Sequence, residues 1–139
     1  MSSIVPKELK MYFEEKDFER YPIVNIPQSF EDERGLILNL ADGSIGDVAL
    51  ITSKPHSTRA NHYHKKDWHL TYMLTGAMIY SWRPLHQNIW EDVQVESGQM
   101  VFTPAMIAHK MTFPVASDFI AISAFSRLSK NYESDTVRL

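Results

Sequence analysis

From Tyr21 onward the sequence is a train of short runs rich in β-branched and aromatic residues, cut at close intervals by Gly, Pro, Asp and Asn. Candidate strands are 23–26, 35–40, 46–52, 59–63, 69–74, 77–82, 89–96, 100–103, 109–113 and 119–125. Turn signals between them include Ala41-Asp42-Gly43-Ser44, Thr75-Gly76, Arg83-Pro84, Ser97-Gly98 and Phe113-Pro114. Many short strands at even spacing, with no second helical stretch, predict an all-β sandwich or barrel. The one helix-like piece is 2–20: Ser3 suits a cap, Pro6 the first turn, and Leu9, Tyr12, Phe13 and Phe18 mark an apolar side. Those aromatics need a surface, either this chain's own barrel or a neighbouring subunit. The expected organisation is a helical arm over 1–21 and a single barrel domain over 22–139, ending in a polar tail or short terminal segment from Leu128.

The chain has 139 residues, enough for one domain with a real core. At 44% hydrophobic and 22% charged it reads as globular rather than disordered or membrane-spanning. A net charge of −3, with Lys and Arg scattered, argues against a nucleic-acid platform. The N-terminal ten residues lack an apolar signal core, so the cytoplasm is the expected compartment. With no cysteine, any metal must be held by nitrogen and oxygen donors.

Histidines are where the chemistry concentrates. His62 and His64 are two apart, so a strand would aim both to one face. His69 opens the next apolar run, and His109 stands in a separate strand further on. Two distant strands could bring these four imidazoles to one point. Imidazole is the commonest metal ligand, and the set suits one divalent transition metal: zinc, iron, manganese or nickel. Alternation gives His69 the company of Thr71 and Met73, and His109 that of Met111 and Phe113, with no carboxylate on either face. His56 and His86 have no partner at ligand spacing and read as loop residues.

The same residues resemble the cupin family, whose motifs run G-x5-H-x-H-x(3,4)-E-x6-G and G-x5-P-x-G-x2-H-x3-N. His62, His64 and Gly76 match the first, with His69 in the glutamate's place and His56 in that of the opening glycine. Gly98, Pro104 and His109 match the second, with Met106 for the inner glycine and Phe113 for asparagine. The resemblance implies a double-stranded β-helix, or jelly-roll barrel, with a short N-terminal helix or arm. It also implies a metal held by His62, His64, His69 and His109. Replacing glutamate by His69 would leave that ion near +2, a centre attractive to carboxylates, enolates and phosphates.

A narrower similarity is to the sugar-nucleotide branch of the cupins, the dTDP-sugar ketoisomerases and dTDP-4-dehydrorhamnose epimerases. It rests on Asp32-Glu33-Arg34-Gly35, on Arg59 ahead of His62-x-His64-Lys65-Lys66, and on Tyr132-Glu133-Ser134-Asp135 with Arg138. It implies a small anionic keto-sugar substrate met by Arg59, and a homodimer. Tyr72 and Tyr80 are read apart from it, as further pocket groups on the substrate side. In the ketoisomerases the paired histidines move protons without a required metal. A metal-bound imidazole cannot act as a base, so here a metal implies Lewis-acid catalysis with a separate proton carrier, which the sequence leaves unassigned. Two other classes stay open. One is an iron-dependent dioxygenase with His62, His64 and His109 as a facial set. The other is a non-catalytic metal- or ligand-binding module. Trp68, alternating to the outer face, is expected in an interface or intersheet contact.

Overall fold

The structure, a computed structural model, describes residues 3–128 and 130–139. Twelve strands are present among them: β1 (Ile23–Val24), β2 (Gln28–Asp32), β3 (Gly35–Asn39), β4 (Asp47–Ser53), β5 (Ser57–His64), β6 (His69–Thr75), β7 (Ala77–Pro84), β8 (Glu91–Glu96), β9 (Met100–Thr103), β10 (Ile107–Phe113), β11 (Ser117–Ser123) and β12 (Thr136–Arg138). One short helix, α1 (Lys130–Asp135), precedes the last strand. Every strand expected from the sequence is found, each end within two residues. Two strands were not expected. β2 is polar and exposed, and β12 lies in the segment read as a tail.

The strands form two antiparallel five-stranded sheets, ordered β1-β9-β6-β11-β4 and β12-β5-β10-β7-β8. They make the jelly-roll architecture of the cupins. Among the described residues no ladder joins one sheet to the other, so the expected closed barrel is an open two-sheet sandwich. Between the sheets lies a core containing Met73, Met78, Tyr80, Val95, Phe113 and Phe119. Because neighbouring side chains on a strand point to opposite faces, a strand buried on one side only would alternate polar and apolar. β6 instead carries buried residues on both faces. The N-terminal segment explains this. Over 3–20 it is not one helix but two short 3-10 turns, Lys7–Leu9 and Glu15–Phe18, and the first position of the expected helix, Ser2, lies outside the described residues. A capping box between Glu14 and Asp17 begins the second turn. Val5, Leu9, Phe13 and Phe18 pack against Trp68, Leu70, Met100 and Phe102, on the outside of the first sheet. The arm therefore covers its own sheet. Trp68, expected in an interface or intersheet contact, lies beneath the arm at 5% exposure and donates from its indole nitrogen to Glu8 at 3.3 Å.

Two departures from the cupin motifs are visible in the backbone. His56 and Met106 stand where the motifs have glycine, and both sit at φ 66°, in the left-handed region. The turns have kept their shape after losing the residue that adopts it most easily, at a cost of order 1 kcal/mol each. Met106 is half exposed and belongs to neither buried cluster. Met106→Gly is accordingly expected to raise stability by about 0.5–1 kcal/mol, read as a higher urea midpoint with an unchanged slope. No helix among the described residues is long and apolar enough to cross a membrane.

Candidate functional site

The histidines meet between the two sheets. β5 and β10 are neighbours, and His62 pairs directly with His109 across the ladder. The register then slips, with Ala60 opposite Lys110. Ala60 and Asn61 take up the extra length at φ 68° and 59°, as a β-bulge. The bulge matters for the site. In a regular strand Arg59 and His62, three apart, would face opposite ways, whereas here both line one cavity. Ring centroids are 4.6 Å apart for His62 and His64, 4.8 Å for His62 and His109, and 5.7 Å for His64 and His109. One ligand atom from each of the three lies within 4.8 Å of the others.

Hydrogen bonding decides what these rings present to one another. His109 Nδ1 is 3.1 Å from the Ile107 carbonyl, which can only accept, so the proton is on Nδ1 and the Nε2 lone pair is free. His64 is 1% exposed, and its Nε2 is buried without a hydrogen-bond partner. A buried imidazole nitrogen with no hydrogen-bond partner, grouped with two further imidazoles, is a donor set that fits a divalent metal. The rings are also held neutral. Burial, then the neighbouring His69, bring His62 down to about 4 and His64 to about 3, and burial holds His109 well below the ordinary histidine value. Neutral imidazole is the ligating form.

His69 comes from the opposite sheet and stacks on His64 at 4.6 Å. It does not fall in the group of three. It stands instead with His64 and Asp67 in a second, overlapping group. Its Nε2 is 3.0 Å from Asp67 Oδ2, while Asp67 Oδ1 accepts the backbone N–H groups of Ala124 and Phe125 at 3.0 and 3.3 Å. Asp67 is thus saturated by structural partners and braces His69. The expectation of a site free of carboxylates is corrected here. Asp67 enters from the β5–β6 loop, and Asp135 from the end of α1, where its Oδ2 lies 3.7 Å from His64 Nδ1. Neither is on a ligand-bearing strand, so strand alternation could not reveal them.

The histidines open onto a cavity of about 160 Å³ whose lining includes His62, His69, His109, Arg59, Arg127 and Tyr132. Arg59 is held by the Thr52 carbonyl at 2.7 Å and Ser53 Oγ at 2.8 Å, bridging β5 to β4. Arg127 lies over the Tyr132 ring at 5.8 Å and against Asp47 at 3.4 Å. Arg59 lines this cavity, whereas Tyr72 and Tyr80 do not. Tyr72 faces away and packs against the cluster under the N-terminal arm. Tyr80 is buried and stacks on His109, its hydroxyl 2.7 Å from Thr103 Oγ1, and burial raises its pKa. Tyr132 takes the place expected of them. His56 and His86 lie in turns, as read.

Two antiparallel jelly-roll sheets in this order make a cupin fold. Residues 30–137 match the polysaccharide biosynthesis C-terminal domain family, and the chain belongs to that family. No curated protein matches the sequence. Among solved structures it is similar to the capsular polysaccharide assembling protein CapF from Staphylococcus aureus, at 20% identity and a TM-score of 0.62 over 86% of this chain. It spans only 34% of that protein's chain. It is also similar to the QdtA 3,4-ketoisomerase from Thermoanaerobacterium thermosaccharolyticum, whose structure contains TDP, at 19% identity and TM-score 0.67, over 86% of this chain and 88% of that one. A third is dTDP-4-dehydrorhamnose 3,5-epimerase from Sulfolobus tokodaii, at 15% identity and TM-score 0.62, over 76% and 70% of the respective chains.

Proposed function

We propose that this protein is an isomerase or epimerase that moves a proton beside the carbonyl of a keto sugar, nucleotide-linked, with one divalent transition ion held by His62, His64 and His109. The observation that carries the reading is the buried, unpartnered His64 Nε2 in a group with His62 and with His109, whose free-Nε2 ring lines a cavity with arginines in its wall. When bound, the ion would supply Lewis-acid polarisation of the substrate's oxygen. The chain's own residues do the rest. The cavity is smaller than the roughly 300–1,000 Å³ of a drug-sized pocket, so it takes a single ring and leaves a nucleotide outside. Arg59 and Arg127 bind the anionic linkage. Ile51, Met111, Phe119 and Ala121 supply apolar walls that keep water from the reacting carbon. His69 is the proton carrier. Asp67 holds the Nε2–H, which leaves Nδ1 to take the proton and return it. The folds shared with a ketoisomerase and an epimerase support the reaction class.

Incubating the protein with nucleotide-linked keto sugars in D2O tests this. Deuterium is expected at the carbon beside the carbonyl. In Asp67→Asn, exchange should fall about 10²–10⁴-fold with metal content unchanged. No exchange and no thermal stabilisation with any sugar in the panel would count against it.

The homodimer implied by the resemblance is retained as part of the proposal. Among the described residues the β2–β3 hairpin pairs with no other strand and exposes Phe30, Leu36 and Ile37, while edge strand β4 exposes Val48 and Leu50. A lone hairpin is marginal in water, and a second copy brings both an apolar hairpin and an apolar edge, so each can cover the other. Sedimentation should give twice the chain mass, and Ile37→Asp should give the monomer.

A further inference from the structure

The C-terminal segment, read from the sequence as a tail, reaches the histidines from behind. β12 pairs with the end of β5, placing Thr136 opposite His64 and Arg138 opposite His62. Thr136 is 8% exposed. Its Oγ1 lies 2.9 Å from the Tyr132 carbonyl, one turn back in α1, and 3.3 Å from His64 Nδ1. A hydroxyl has one proton, and a carbonyl can only accept. That proton is committed to Tyr132, so towards His64 the Thr136 oxygen can only accept. Asp135, 3.7 Å from the same nitrogen, is an acceptor as well. Both groups facing Nδ1 therefore call for a proton there.

We infer that Thr136 is a positioning residue that fixes His64 as the Nδ1–H tautomer and thereby turns a bare Nε2 towards His62 and His109. Asp135 ties the same segment to the rest of the site. Its oxygens accept the backbone N–H groups of Lys66 and Asp67 at 2.8 and 3.1 Å, holding the loop that carries Asp67 to His69. The site is thus organised from the last ten residues as much as from its ligand strands. The tautomer assignment stands on hydrogen bonds alone. Its consequence for metal affinity rests on the reading of His64 as a ligand.

The test uses the full chain, ¹⁵N-labelled at histidine and treated with chelator, at pH 7.5. Long-range ¹H–¹⁵N correlation should show His64 in the wild type as Nδ1–H, and Thr136→Val should move it towards Nε2–H. Titration with Zn²⁺ should then show a 10- to 100-fold weaker Kd in Thr136→Val. Thr136→Ser, which keeps the hydroxyl, should restore both signals. Val137→Ala, on the same strand but opposite Tyr63, should change neither. Wild-type His64 found as Nε2–H would overturn the inference, and this needs no variant to fold. Equal loss of zinc in Val137→Ala and Thr136→Val would also overturn it, because the strand would then act only through folding. His64 found as Nδ1–H in a protein that binds no zinc would support the assignment and remove the metal reading instead.

Discussion

His64→Ala is expected to lose its metal completely. Protein made without a histidine tag should carry about one transition ion per chain, and the variant almost none, since two imidazoles in place of three leave the ion to water. The loss should be sharper here than at any other ligand. His64 is 1% exposed, and truncation would leave the Thr136 oxygen and the Asp135 carboxylate facing a void. An additional loss of about 2–3 kcal/mol in folding stability is expected, from the cavity and the lost partner together. His69→Ala makes the contrast. It lies outside the three-ligand group and is held by Asp67, so it should keep most of the metal while losing proton exchange. Elemental analysis of the three proteins side by side is the check. Full occupancy in His64→Ala would mean that the ion is held elsewhere.

The second large effect concerns acid. His62, His64 and His109 all have folded-state pKa values below the ordinary histidine value, with burial the chief cause. The unfolded chain then binds more protons than the folded one as pH falls below about 6.5, so stability drops with falling pH from there. The loss stops growing only near the folded values, about 4 for His62 and about 3 for His64. A buried histidine that stays neutral at pH 5 costs on the order of 2 kcal/mol relative to pH 7. His64, almost wholly buried, contributes about that much, a sizeable share of a typical 5–15 kcal/mol, and His109 acts in the same direction. His62 is more exposed and adds less. Urea unfolding of chelator-treated protein between pH 7.5 and 4.5 should show the midpoint falling steadily below pH 6.5. A flat profile down to pH 5 would show that the rings take up protons freely in the fold.

What could be read in the sequence was whatever strand periodicity and motif spacing control. His62, His64 and His109 converge because β-strands fix the direction of every second side chain, and the paired motifs fix which strands are neighbours. What could not be read came from outside that logic. Asp67 and Asp135 enter the site from a loop and a helix end. Tyr132 and Thr136 lie in a segment too short and too polar to announce a helix and a strand. Arg59 reaches the cavity only because Ala60 and Asn61 form a bulge, and no composition rule places two non-glycine residues at positive φ. Tyr72 and Tyr80 lie off the cavity for a related reason. Both faces of β6 are buried, so an aromatic there has two places to go, and Tyr72 went under the arm. Tyr80 does lie between the sheets, but deeper than the cavity floor. The arm itself is apolar enough to look helical, yet it folds as two separate turns dictated by the surface it covers.

Anomalous diffraction from a crystal soaked in Zn²⁺ measures the central proposition most directly. One peak should stand within about 2.0–2.1 Å of Nε2 of His64 and His109 and of a ring nitrogen of His62, with an open side towards Arg59 and Arg127. Three imidazoles turned away from one another, with no peak among them, would contradict the account.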